Sequence, residues 1–410
     1  MSATGQAGVV IVGGGQGGFQ LAASLREAGF SEAITLVGEE PGLPYQRPPL
    51  SKAFLKGEAD ATSLELRPAA FYEQHDVTLM EGRVEAIDRG ARSLALAGGG
   101  RLAYDHLVLA TGARNRPLPV PGADLDGVLY LRTLAEAAEL KARLAGASGV
   151  VVIGAGFIGL EFAAVARALG HEVTVLEAAG RPLGRAVSPE MSAFFGEAHR
   201  AMGTRLVTGA GVVRLHGEGG RVSAVETADG ARHPADLVVV GIGVVPNTEL
   251  ASEAALPAVN GILVDEYLAT PDPAISAIGD AVAYPSVHAG SVVRLESVQN
   301  AVDQARCVAA RLAGKPAPYT AVPWFWSDQA DLKLQMVGLA APGDHAVLRG
   351  DPASRRFSVF RFRDGRLTAI ESVNRPADHM LGRRLLAGTP VLTPEQAADE
   401  SFDLKGLLAR

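Results

Sequence analysis

The chain has 410 residues, 48% hydrophobic and 20% charged, with a formal net charge of −7. That length exceeds a single core and calls for two or three domains, while the acidic balance gives no overall pull toward nucleic acid or an anionic membrane. The single cysteine, Cys307, excludes an internal disulfide, a Cys-x-x-Cys redox pair and a cysteine-held zinc or iron–sulfur centre. It reads as an ordinary packing residue of a helix. The N-terminus, MSATGQAG, has no basic region followed by an apolar run, so no signal peptide is expected. The longest apolar runs, such as DLVVVGIGVVP, fall short of the roughly 18 residues of a membrane span. A soluble, cytoplasmic protein is the expectation. The histidines are scattered without metal-ligand spacing, so no metal site is expected, and there is no nucleophile elbow.

The first predicted elements form VVIVGGGQGGFQLAASLREAGFSEAITLVGEE. A strand, Val9 to Val12, runs into Gly13-x-Gly15-x-x-Gly18. An amphipathic helix follows, then a strand from Ile34 to Val37 that ends at Glu39. Gly13 permits the tight turn, Gly15 lets a pyrophosphate approach the backbone, and Gly18 lets the helix pack on the strand. The helix N-terminus offers N–H groups and a positive dipole end to phosphate. Glu39 is placed to accept hydrogen bonds from ribose hydroxyls. The whole strand–loop–helix–strand–acid pattern marks a dinucleotide site more firmly than the glycines alone.

The same device recurs in GVVVIGAGFIGLEFAAVARALGHEVTVLEAAGR. A strand from Val150 to Ile153 precedes Gly154-x-Gly156-x-x-Gly159, a helix, and a strand from Glu172 to Leu176 ending at Glu177. A carboxylate there favours a free ribose diol and repels a 2′-phosphate, so NADH is expected over NADPH. Arg181 and Arg185 follow closely; each could pair with Glu177, contact a pyrophosphate, or be a solvated charge, with cofactor contact favoured for Arg185. Two such units imply two dinucleotides, one a redox prosthetic group and the other a diffusing donor. FAD with NAD(P)H is the pairing that makes chemical sense, because a flavin accepts hydride and releases single electrons.

Further stretches carry a resemblance. LPYQRPPLSKAFL (43–55), YDHLVLATGARNRPLPVPG with its Ala110-Thr111-Gly112 turn, LVVVGIGVVPNTELA, ISAIGDAVAY, LESVQNAVDQA and PWFWSDQ (323–329) together closely resemble the NADH-dependent, FAD-containing ferredoxin reductases of bacterial oxygenase systems. That is the family of putidaredoxin reductase and the aromatic-ring dioxygenase ferredoxin reductases. The resemblance spans essentially the whole chain. It implies an α/β fold with an α+β C-terminal domain, like that of glutathione reductase: two Rossmann-type dinucleotide-binding domains and a C-terminal antiparallel-sheet domain. The implied segments are a discontinuous FAD-binding domain (1–114 and 247–322), an NAD-binding domain (115–246) and a C-terminal domain covering the flavin (323–410). With only Cys307, the cysteine relay of glutathione reductase is excluded, and electrons leave the flavin directly.

The resemblance also implies roles. Gly13, Gly15, Gly17, Gly18, Glu39, Lys52, Val84, Arg132, Asp280, Val298 and Trp326 are implied at FAD, and Gly154, Gly156, Phe157, Ile158, Gly159, Glu161, Glu177, Arg185 and Gly243 at NAD. Lys52 and Glu161 match a pair beside the reactive edge of the isoalloxazine. Read from the residues alone, Lys52 opens a helix after two prolines and could be solvated, whereas Glu161 lies in an apolar helix and needs a partner. The pair would orient and stabilise rather than abstract protons, since hydride transfer needs stacking at the right distance. Asp280 would hold the flavin's ribityl or phosphate portion, or cap a helix before AVAYP. Phe157 would cover the flavin before NADH arrives, or pack on its strand. Glu296 would organise the nicotinamide side or form a salt bridge.

In PWFWSDQ an extended chain puts Trp324 and Trp326 on one face and Phe325 on the other. Trp326 is expected against the flavin, Trp324 as its support, and Phe325 as an inward-packing residue. The implied partner is an acidic two-iron, two-sulfur ferredoxin serving a monooxygenase or dioxygenase, docked through a locally basic face. Arg306, Arg383 and Lys405 are the candidates, each otherwise an ordinary surface charge. Two other readings compete. One is an NADH oxidoreductase with a quinone or small-molecule acceptor, as in monodehydroascorbate reductases. The other is an NADH-sensing flavoprotein like apoptosis-inducing factor, whose C-terminal insertions this sequence does not display.

Overall fold

The computed structural model describes residues 8–388 and 391–409. Among them no helix is long and apolar enough to cross a membrane. The chain divides into two compact units: residues 1–46, 64–114 and 245–323, and residues 47–63, 115–244 and 324–410.

The first unit is organised by a five-stranded sheet ordered Ile275–Ala277, His106–Leu109, Val9–Val12, Ile34–Gly38, Val77–Glu81. Every neighbouring pair is parallel. Parallel strands are covered on both faces and therefore read as continuous apolar runs, and all four side chains of Val9–Val12 are buried. Burying each contributes about 1.5–3 kcal/mol relative to exposure. The helix Gln16–Glu27 packs against the long helix Val298–Leu312. Gly17 lies at this contact, where a Cβ would sit at ordinary van der Waals distance, 3.5 Å from Ile278 and 3.6 Å from Ala301. A three-stranded antiparallel sheet, Val84–Asp88, Ser93–Leu96 and Arg101–Ala103, belongs to the same unit.

The second unit repeats the plan and then departs from it. Its parallel sheet runs Arg205–Thr208, Glu172–Glu177, Gly149–Ile153, Leu237–Val240, Val128–Tyr130. Its last segment is a five-stranded antiparallel sheet ordered Trp324–Gln329, Leu332–Gly338, Arg366–Val373, Arg356–Arg363, His345–Asp351. Strand alternation gives this sheet two working faces. One meets the helices Phe157–Ala168 and Pro189–Ala201, through Phe325 on Phe157 and Phe357 on Phe194. The other meets the helix Pro376–Leu386, through Trp324 on His379. The α/β class with an antiparallel C-terminal sheet, expected from sequence, is what is observed.

Candidate functional site

The two glycine loops share their geometry. Gly13 has φ +122°, and a Cβ on it would fall 2.1 Å from the Ala110 carbonyl oxygen; one on Gly18 would fall 2.0 Å from the Gly13 carbonyl oxygen. Gly154, with φ +102°, and Gly159 are closed in the same way, 2.4 Å from the Gly241 oxygen and 2.2 Å from the Gly154 oxygen. Protein backbone thus dictates the first and third glycines. The middle glycines differ. A Cβ on Gly15 would meet nothing within 4 Å, and one on Gly156 only the Gly241 oxygen at 3.9 Å. Packing does not require glycine there; a group approaching from outside would. Gly15 and Gly156 are also the N-caps of their helices, and neither helix has a side-chain cap. First-turn N–H groups are left for an anion. Both loops fit a pyrophosphate.

The acids that end the second strands are held differently. Glu39 is 70% exposed and stands 3.6 Å from Arg83. Glu177 accepts the Ala155 N–H at 2.7 Å with one oxygen and the Ala179 N–H at 2.8 Å with the other. Its carboxylate is braced against the glycine loop itself. Beyond it, Leu183 takes the left-handed conformation, φ +53°, and donates its N–H to the Ala155 carbonyl. Arg181 is half-buried and is engaged by the backbone of its own turn. Its guanidinium donates to the carbonyls of Gly184, Val187 and Ser188 and holds this turn closed. Arg185 is exposed, and a Cβ on Gly243 would lie 3.8 Å from its Nη2, so these two NAD candidates are neighbours. Phe157 is half-buried, and Ile158 beside it is 44% exposed.

Lys52 and Glu161, 109 positions apart, form an ion pair with Nζ–Oε2 of 2.6 Å. Glu161 is 3% exposed and Lys52 19%. Two hydroxyls complete the carboxylate's shell: Ser51 donates to Oε2 at 2.5 Å and Ser327 to Oε1 at 2.7 Å. Lys52 also donates to the Pro48 carbonyl at 3.0 Å. The two prolines set a 3₁₀ turn, Pro48–Ser51, that delivers Ser51 and Lys52 to one oxygen. Nearby in the chain, Arg47 Nη1 donates to the Arg132 carbonyl at 2.7 Å. Arg132 donates its own N–H to Glu136, whose carboxylate also closes the capping box on Thr133.

The strand Trp324–Gln329 alternates as the sequence requires. Trp324 and Trp326 share a face, with ring centroids 5.6 Å apart. Trp324 meets the edge of His379 at 5.4 Å and lies 4.8 Å beneath the Arg383 guanidinium. Burial, then the Arg383 charge, pushes His379 down to about 4, so it is neutral at working pH. Phe325 takes the other face and is half-buried rather than a core residue; its ring lies 4.5 Å from Phe157.

Several remaining candidates are placed by the first unit. Asp280 lies in a 3₁₀ turn, Gly279–Ala281, and the stretch after it, Val282–Ser286, is a strand. The alternative of a helix cap at Asp280 is therefore overturned: AVAYP is β-branched and aromatic, and it pairs in a sheet. Glu296 is salt-bridged to Arg294 at 2.7 Å, and Arg294 also donates to the Asp280 carbonyl. Val298 opens the long helix, and Val84 is buried at the start of its strand. Arg306 pairs with Asp303 at 3.5 Å. Cys307 is half-buried, its thiol pushed up by burial and directed at the Ala317 carbonyl. Lys405 is exposed in the second unit.

Ser51, Ser327, Gln329, His199 and Arg47 were not anticipated. Ser327 and Gln329 were within reach, since the alternation that separates Phe325 from the tryptophans puts both on its face.

Two pyrophosphate cradles on separate parallel sheets, with a buried Lys–Glu pair in the second unit, define a two-dinucleotide oxidoreductase. Residues 7–305 match the pyridine nucleotide-disulphide oxidoreductase family and residues 324–408 the reductase C-terminal family. The chain is 56% identical over 403 residues to rhodocoxin reductase of Rhodococcus erythropolis, covering 98% of this chain and 94% of that protein. It is 42% identical over 407 residues to putidaredoxin reductase of Pseudomonas putida, covering 98% and 96%. Its structure superimposes with a TM-score of 0.96 on the ferredoxin reductase for the CYP199A2 system of Rhodopseudomonas palustris, at 54% identity over 98% of this chain and 99% of that one. With the covalent putidaredoxin reductase–putidaredoxin complex the TM-score is 0.95 at 42% identity, covering 99% of each chain. The chain belongs to the pyridine nucleotide-disulphide oxidoreductases and, within them, to the ferredoxin reductases of bacterial oxygenase systems.

Proposed function

We propose that the Gly13–Gly18 loop holds FAD, that the Gly154–Gly159 loop binds NADH, and that Lys52 and Glu161 organise the reacting end. The protein is an oxidoreductase that moves electrons from NADH to a ferredoxin supplying an oxygenase. FAD held in the first loop would supply a hydride acceptor that can release electrons singly. The chain's own residues bind, orient and shield. Gly15 and Gly17 offer backbone to the FAD pyrophosphate, Glu39 the ribose acceptor, and Asp280, Val84, Arg132 and Val298 the remaining contacts. Glu177 receives the NADH ribose diol, with Arg185 and Gly243 beside it. Trp326 lies against the flavin, and Phe157 covers it until NADH arrives. In this reading residues 1–114 with 247–322 serve FAD, 115–246 serve NAD, and 323–410 cover the flavin. The ferredoxin is acidic and carries two iron and two sulfur atoms, docking on Arg306, Arg383 and Lys405, and the protein works in the cytoplasm.

The observation that carries this reading is the buried Glu161 on Lys52 Nζ at 2.6 Å. A charge at 3% exposure is costly unless paired and hydrogen-bonded, and this pair joins stretches 109 positions apart. A cation so held is suited to stabilising negative charge that develops on reduction. Glu161→Ala is expected to slow NADH-driven flavin reduction, followed by stopped-flow absorbance, by about tenfold or more. A wild-type rate would overturn the assignment.

A further inference from the structure

A line of buried polar side chains leads away from Glu161. Ser327 donates to Glu161 Oε1 at 2.7 Å, Gln329 Nε2 to Ser327 Oγ at 3.2 Å, and His199 Nε2 meets Gln329 Oε1 at 2.8 Å. Ser327, Gln329 and His199 are all fully buried. Ser327 and Gln329 come from the face of the C-terminal sheet that carries Phe325, and His199 from the helix Pro189–Ala201.

The direction of every proton in this line follows from its end. A carboxylate held on the Lys52 ammonium can only accept. The single Ser327 proton therefore goes to Glu161, and the Ser327 oxygen must itself accept. Only the Gln329 amide nitrogen can donate to it, which turns the amide oxygen toward His199. His199 then carries its proton on Nε2. Its Nδ1 has no partner among the described residues, and burial pushes its pKa down against the opposing Gln329 bond. A neutral imidazole with one proton fits the line; a charged one would bring a second donor with nowhere to place it. Polar side chains buried this deeply are disfavoured in a sheet core unless each is satisfied, and apolar residues would pack the same space.

We propose that Ser327, Gln329 and His199 are positioning residues, a one-way donor relay that fixes the Glu161 carboxylate so that Oε2 is presented to Lys52 and Ser51. The proposal rests on the Lys52–Glu161 reading and adds the means by which that pair keeps a single geometry. Without Ser327, Oε1 loses its partner, and the carboxylate is free to rotate about χ3, which has no steep staggered wells.

The test uses the FAD-loaded protein. Stopped-flow reduction by NADH over a range of concentrations separates the limiting rate from NADH affinity. Acetylation of Lys52 by acetic anhydride, read by mass spectrometry, reports the pair without turnover. Ser327→Ala is expected to lower the limiting rate by about tenfold, with NADH affinity held within about twofold, and to raise Lys52 acetylation severalfold. Ser327→Thr, which keeps the hydroxyl, restores both. Gln329→Leu, which leaves Ser327 in place, gives a smaller loss of about threefold and substitutes for Ser327→Ala if that variant does not fold. A purely structural role would lower the melting temperature while leaving limiting rate and acetylation unchanged, and that result overturns the relay. Glu161→Gln in the same assay separates the two claims. If it is slow while Ser327→Ala and Gln329→Leu are normal, only the relay fails; if it too is normal, the Lys52–Glu161 reading fails with it.

Discussion

The two glycine loops are nearly superposable in what they forbid and different in what they leave free. In each, backbone crowding fixes the first and third glycines, and the middle one faces open space. The terminal acids part company. Glu39 stands in solvent beside Arg83, whereas Glu177 is bound by two backbone N–H groups and is part of its own loop. The residues after the glycines differ as well: Gln16 and Gly17 in the first loop, Phe157 and Ile158 in the second. The shared part is what a pyrophosphate needs. The unshared part suits a prosthetic group in one case, and in the other a donor that must enter, be recognised and leave.

The strongest way to break this comparison is to fill the open positions. Gly15→Val and Gly156→Val put a branched side chain where an added Cβ meets nothing at Gly15 and only the Gly241 oxygen, at 3.9 Å, at Gly156, at φ of −81° and −80°, which valine tolerates. Both variants are expected to fold, with far-UV circular dichroism and melting temperature near wild type. Gly15→Val emerges from purification without flavin absorbance. Gly156→Val keeps its flavin and loses about a hundredfold or more in NADH-driven reduction, as expected when a bulky group displaces the ligand from its contacts. A yellow Gly15→Val protein would sink the assignment of the first loop to FAD.

The fold and both cradles were legible because they rest on local signals. A glycine at positive φ, a uniformly apolar parallel strand and an acid about 20 residues further on all act over short stretches of chain. Lys52 and Glu161 were legible only through family likeness, although Glu161 in an apolar helix announced a missing partner. What the sequence could not reveal was the identity of that partner's neighbours. Ser51, Ser327, Gln329 and His199 meet Glu161 or one another across 110 to 166 positions, and serine and glutamine carry no sign of burial in their type. For Arg181 the sequence leaves several roles open, and its bonds to the carbonyls of its own turn carry no mark in the residue type. The helix-cap alternative at Asp280 failed because a short acidic turn precedes helices and strands alike.

The second comparison to sharpen is between the two acids. Glu177→Ala removes two charge-assisted hydrogen bonds, each worth about 1.5–3 kcal/mol, and, on the proposed reading, the ribose acceptor with them. It is expected to raise the KM for NADH by about tenfold, lower the melting temperature, and narrow the preference for NADH over NADPH. Glu39→Ala breaks only an exposed pair, worth about 0–1 kcal/mol, and leaves the melting temperature unchanged while loosening FAD. Steady-state assays with both nucleotides and thermal denaturation decide the matter. Wild-type protein with higher kcat/KM for NADPH would overturn the role given to Glu177.

The smallest expected effects concern Arg306 and Arg383, one from each unit and neither a free charge. Arg306 is tied to Asp303 one helical turn away, and Arg383 rests on the Trp324 ring. Charges at the rim of an interface act mainly on association rate and its salt dependence. Arg306→Ala and Arg383→Ala are each expected to raise the KM for ferredoxin by about threefold at low salt. The difference should fade as ionic strength shortens the Debye length, and ferricyanide turnover should stay normal. Arg383 needs a second variant, because losing its cation–π contact costs about 0.5–1 kcal/mol and loosens Trp324, which supports Trp326. Arg383→Lys keeps the charge and gives up the planar stack. If lysine restores the ferredoxin KM, the charge docks the partner. If lysine behaves like alanine, and the loss persists at high salt, Arg383 serves the tryptophan pair, and the basic face must be sought elsewhere on the molecule.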